Sequence, residues 1–160
     1  MDISLNVSGY DIELGMRLDS GGLARAGIRK MGFFSGMVMP IPKLDGDVIY
    51  WSKNPTINCF SRKVTAFAML DRSAGADMMC GTSLYLFFNN GVLRYVIAQV
   101  ISNPYAASMF TESLRKVAEI DLGKPARRTS QTWEWVADGQ TFISEMGQSK
   151  KNGFMHWKLS

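Results

Sequence analysis

The side chains best equipped for chemistry in this chain are few. His156 is its single histidine, and Cys59 and Cys80 are its only cysteines, with twenty residues between them. A Cys–His nucleophile needs its partners close only in space, so either thiol is formally eligible. Neither stands at an evident helix N-terminus, the setting that most readily lowers a thiol pKa, and buried inert thiols are the simpler reading. His156 falls between Met155 and Trp157 on a strand face expected to be polar, which makes it an ordinary surface histidine. A zinc site built from these three residues lacks closely spaced ligands, and no metal or cofactor is expected.

Two carboxylates, Glu134 and Glu145, are expected two pairs apart on one strand face, with Thr132 opposite Glu145. General acid–base work requires one carboxyl to be desolvated, and no neighbour in the sequence does that, so both read as solvated strand residues. Gly21-Gly22 ahead of a short helix has the composition of an anion-binding turn, although a plain turn is the commoner use. No phosphate-cradling glycine loop, nucleophile elbow or zinc-protease helix motif occurs. No catalytic residue is therefore assigned, and a non-enzymatic role is expected.

Binding is the remaining class. The chain has 160 residues and a net charge of +4, with basic clusters at Arg25/Arg29/Lys30, Arg62-Lys63, Lys124 with Arg127 and Arg128, and Lys150-Lys151. Lys124, Arg127 and Arg128 are the candidates for an anion or nucleic acid. A nucleic-acid-binding sheet would expose aromatic rings among such charges for base stacking. Here Trp133, Trp135 and Trp157 are expected to share one apolar face, turned inward, with Phe154 the single aromatic on the polar side. Indoles open to water and flanked by arginines would reverse that preference. Met37, Met39 and Ile41 sit in an apolar segment interrupted by Pro40 and Pro42, which excludes it from a central strand and marks it as a partner contact. The leading expectation is thus a protein–protein interaction module of adaptor, inhibitor, immunity or accessory type. One alternative is a small-molecule-binding protein or enzyme with a pocket between helix 104–121 and the sheet, lined by methionine and aromatic side chains. The other is a basic nucleic-acid-binding protein.

The elements that must position these residues are marked by turn and cap signals. Ser8-Gly9 centres a hairpin over 3–14 that pairs Val7 with Tyr10, Leu5 with Ile12 and Ile3 with Leu14. Asp19 or Ser20 caps a helix over about 20–31, with Gly27 inside it and Gly32 beyond its end. Asn90-Gly91 centres a hairpin over 84–97, pairing Phe88 with Leu93, Leu86 with Tyr95 and Leu84 with Ile97. Asn103-Pro104 opens a helix over 104–121 whose stripe is Ala106, Met109, Phe110, Leu114 and Val117. On its solvent side Glu112 faces Lys116 and Arg115 faces Glu119. Asp138-Gly139 and Asn152-Gly153 divide a three-stranded meander over 130–159, pairing Trp135 with Phe142, Trp133 with Ser144 and Met146 with Leu159.

The sum is an α+β fold, mainly antiparallel sheet with two helices on one face, in a single domain over 1–160. Helix followed by antiparallel strands occurs twice, so two similar halves over about 1–101 and 102–160 are conceivable. The start, Met1-Asp2-Ile3-Ser4, lacks the basic and apolar regions of a signal peptide, and no run approaches the roughly 18 apolar residues of a membrane span. A cytoplasmic location is expected.

Overall fold

Three turns with left-handed backbone set the hairpins: Ser8-Gly9, Asn90-Gly91 and Asp138-Gly139 each place two successive residues at positive φ, as tight hairpin turns require. The structure, a computed structural model, describes residues 3, 5–32, 43–53, 57–59, 81–101, 104–147 and 152–160. In chain order its elements are β1 (Leu5–Val7), β2 (Tyr10–Ile12), α1 (Ser20–Arg25), β3 (Arg29–Lys30), β4 (Asp47–Lys53), β5 (Ile57–Cys59), β6 (Gly81–Asn89), β7 (Val92–Ile101), α2 (Pro104–Leu122), β8 (Arg127–Arg128), β9 (Thr132–Ala137), β10 (Gln140–Met146) and β11 (Asn152–Leu159). Strands β2-β1-β5 form a small sheet, and β3-β4-β6-β7-β11-β10-β9-β8 form a large one, antiparallel throughout. The last strand of the chain, β11, is therefore central, joining β7 to the β8–β10 side. The outermost strands, β3 and β8, are two residues each, and Arg29, Lys30, Arg127 and Arg128 are all exposed. The fold is α+β, as the turn signals indicate. Among the described residues no helix is long and apolar enough to cross a membrane.

One face of the large sheet carries the main core. Leu84, Leu86, Phe88, Leu93, Val96, Ala98, Val100, Phe142, Met155 and Trp157 are buried there. Phe110, Leu114 and Ala118 of α2 cover one half of that face, while Leu5, Val7, Ile12 and Leu23 from the small sheet and α1 join the same cluster. Gly153 lets α2 come close to β11. A Cβ built there would stand 2.9 Å from Phe110 Cδ1, 3.0 Å from Thr111 Oγ1 and 3.2 Å from the Ala107 carbonyl. The C-terminus of α2 is tied down by Gly123 at φ 81, whose carbonyl accepts the Trp135 indole N–H at 2.9 Å.

Three local expectations are corrected. The first helix ends at Arg25 rather than near residue 31. Gly27, at φ 77, is its terminating glycine, with Ile28 N–H on the Leu23 carbonyl and Gly27 N–H on that of Ala24, a Schellman motif. That frees Arg29-Lys30 to pair with β4. In the central hairpin Phe88 does pair with Leu93, but a bulge follows, so Leu86 meets Val96 and Leu84 meets Ala98. Tyr95 and Ile97 move to the second face, opposite Phe87 and Tyr85. That face is as apolar here as the first, so hydrophobic alternation no longer selects the register. Finally, Met146 pairs with Gly153 rather than Leu159, because β11 begins at Asn152 instead of turning there. The slip is an even number of residues, which preserves the faces: Met155 and Trp157 still lie beside Ser144 and Phe142.

Candidate functional site

Among the described residues, polar side chains converge on both faces of the large sheet. On the second face, Tyr95 of β7, His156 of β11 and Glu145 of β10 run diagonally across three neighbouring strands. Tyr95 Oη lies 2.6 Å from His156 Nδ1, and His156 Nε2 lies 3.4 Å from Glu145 Oε1. Burial, then the nearby Glu145 charge, pushes the Tyr95 phenol up to about 12. The phenol thus keeps its proton near neutrality and shares a hydrogen bond with Nδ1, while Nε2 faces the Glu145 carboxylate. The pull of the His156 N–H holds the Glu145 carboxyl below its ordinary range. His156 is buried, not a surface residue, with the Tyr95 and Phe154 rings each 6.0 Å from its own.

At the near end of that face, Arg94 occupies the bulge in β7. Its Nε donates to Asp47 Oδ1 at 2.8 Å and its Nη2 to Oδ2, while its Cζ lies over the rings of Phe87 and Tyr95 at 5.6 and 5.8 Å. Asn89 Nδ2 donates to Asp47 Oδ1 at 3.0 Å and the Leu44 N–H to Oδ2 at 2.8 Å. A phenol held protonated is a poor nucleophile or base, and Asp47 has its oxygens occupied by four donated bonds. Cys59 belongs to β5 in the small sheet over the first face, away from the face that carries His156.

The first face opens at its far edge. A groove of about 650 Å³ runs between α2 and β9, lined by Glu112, Arg115, Lys116, Glu119, Ile120 and Trp133. The helical residues recur at the three-and-four spacing that makes one stripe, so the groove wall is a single face of α2. Trp133 forms the other wall and is only half-buried, whereas Trp135 and Trp157 are 2% and 1% exposed. Two of the three inward indoles are thus inside, and the third is at the border. Ile120, across from it, is 63% exposed.

Two guanidinium groups hold the Trp133 ring. Arg128, its ladder partner on β8, places Cζ 4.1 Å from the ring centroid, and Arg115 reaches it from α2 at 5.1 Å. Arg115 does not face Glu119 as a solvent-side residue. It turns to the sheet, donating from Nε to Ser144 Oγ at 3.2 Å and from Nη2 to the Gln131 carbonyl at 2.8 Å. Burial, then repulsion from Arg128, lowers its pKa. Among the described residues no carboxylate makes an ion pair with either arginine.

Of the residues singled out in sequence, Arg128 is at this groove. Arg127 projects to the opposite face, across from Glu134, and Lys124 lines a separate recess of about 270 Å³ beside Asp121 and Val136. The three basic residues are therefore not one cluster. Met37, Met39 and Ile41 lie outside the described residues. Sequence reasoning missed Arg115 and Ile120. Ile120 falls off the apolar stripe of α2, an exposed isoleucine flanked by Glu119 and Asp121, and that placement was the available signal. Comparison with family models, with curated proteins and with solved structures returns no match.

Proposed function

We propose that this chain is a non-enzymatic protein–protein interaction module whose docking surface is the groove between α2 and β9. What carries this reading is one pairing: Trp133, half-buried, faces Ile120, which is 63% exposed, across an open trough. Interfaces of this kind combine an apolar floor with a rim of mixed charge, and tryptophan and arginine are the residues that most often dominate their energetics. Glu112, Lys116 and Glu119 supply such a rim, and the stems of the long side chains add apolar lining. The buried networks on the other face rigidify the sheet that presents the groove and offer no nucleophile.

Panning a random peptide library on the folded protein tests this directly. Enriched peptides should share a spaced pair of apolar anchors and lose binding to Ile120→Asp and Trp133→Ala variants whose folding is verified by circular dichroism. Enrichment that survives both substitutions places docking elsewhere and sinks the proposal. A second reading, a small-molecule site, draws on the groove volume, which falls within the range of ligand pockets. A metabolite that raises the melting temperature of wild type but not of Trp133→Ala supports it over the first.

A further inference from the structure

We infer that Arg128 and Arg115 form a carboxylate receptor, so that the partner segment docking in the groove presents an aspartate or glutamate side chain beside its apolar anchor. This rests on the docking reading and specifies its chemistry. Arg128 lies 4.1 Å over the Trp133 ring, and Arg115 approaches the same ring at 5.1 Å. Neither makes an ion pair among the described residues. Arg115 is fixed in place by Ser144 and Gln131 through two of its three nitrogens. An arginine so held loses little further freedom on binding an anion, and a planar guanidinium matches a carboxylate in bidentate geometry. The two like charges repel, and an anion bound beside both relieves that repulsion. Burial strengthens the effect, since Arg115 is removed from much of its water.

The charge of the surround selects a monoanion. Arg115, Lys116 and Arg128 stand against Glu112 and Glu119, a balance of one positive charge. A phosphodiester strand laid along the trough would run its repeated charges past both glutamates. Its bases would also compete for the indole with the two guanidinium groups already against it. A single carboxylate at the Trp133 end meets the arginines alone, while an apolar side chain next to it reaches Ile120.

The test uses end-blocked peptides of leucine with one central glutamate, a glutamine twin, a phosphoserine twin and a short single-stranded oligonucleotide. Binding is followed by titration against the intact protein, reading the side-chain N–H signals of Trp133 and the Nε–H signals of Arg115 and Arg128. The glutamate peptide should shift all three and bind roughly tenfold or more tightly than its glutamine twin. Arg128→Gln should erase that difference, and Arg128→Lys should restore only part of it, because lysine keeps the charge and loses the fork. Equal binding of the glutamate and glutamine peptides, with both still lost in Ile120→Asp, overturns the carboxylate receptor and leaves the docking groove standing. No binding of either peptide, alongside library-selected peptides that still require Ile120, does the same. Tighter binding of the phosphoserine peptide or the oligonucleotide overturns it in favour of a phosphate site.

Discussion

Replacing Asp47 with asparagine preserves size and removes one charge, so it isolates the ion pair that anchors the bulge of β7. The Asp47 side chain has no exposure and that of Arg94 is 18% exposed. Removing one member of a buried pair costs roughly 3–5 kcal/mol because the other loses its counter-ion. Arg94 keeps some water and the ring faces of Phe87 and Tyr95, which places the expected loss near the lower end, about 3 kcal/mol at pH 7. The acid profile gives an independent measure. Burial alone would raise the Asp47 carboxyl, but Arg94, Asn89 and the Leu44 N–H together bring it down to about 2 from 3.8. A carboxyl whose folded pKa is depressed contributes stability that is complete above the unfolded value and fades as pH falls through the folded one. Asp47 should therefore contribute about 2 kcal/mol that disappears between roughly pH 4 and pH 2. Urea unfolding followed by tryptophan fluorescence at stepped pH checks both numbers. The gap between wild type and Asp47→Asn should shrink from about 3 to about 1 kcal/mol on acidification. A loss under about 1 kcal/mol at pH 7, with parallel acid profiles, would refute the role assigned to the pair.

Other perturbations have defined outcomes. Gly153→Ala should destabilise by about 1–3 kcal/mol through overpacking against Phe110, Thr111 and the Ala107 carbonyl, measured as a lowered urea midpoint with an unchanged slope. An unaffected midpoint would mean that α2 is free to lift. Tyr95→Phe removes the hydroxyl that satisfies His156 Nδ1 in a buried setting and should cost about 1–3 kcal/mol; nitrogen chemical shifts of His156 that stay as in wild type would show the bond to be absent.

Much of the fold was legible because turn chemistry is local. Asn90-Gly91 and Asp138-Gly139 name their own backbone geometry, and the registers nearest them follow, Phe88 with Leu93 and Trp135 with Phe142. Legibility fell where two solutions bury similar surface. Tyr95 and Val96 are both apolar enough for either face, so the bulge at Arg94 has no hydrophobic signature; its reason is the acid on β4, more than forty residues earlier in the chain. Gly27 and Gly32 both resemble terminating glycines, and only Ile28, whose burial completes the motif after Gly27, decides between them. His156 is expected at the surface because its strand alternates polar with apolar, yet it is buried, and a buried imidazole calls for partners, which Tyr95 and Glu145 supply. A pocket between helix 104–121 and the sheet follows from the layer arrangement, but its lining differs from the methionine and aromatic side chains expected: charged residues of α2 with Ile120 and Trp133. That Arg115 would turn from its own helix to Trp133 follows from tertiary contacts, beyond the reach of three-and-four spacing.

Both ends of the eight-stranded ladder terminate in a basic dipeptide, Arg29-Lys30 on one side and Arg127-Arg128 on the other. Any head-to-head or head-to-tail stacking of copies through open backbone groups would bring cations against cations, whichever ends met. Filament growth by strand addition is thereby discouraged, and the chain should tolerate high concentration without templating itself.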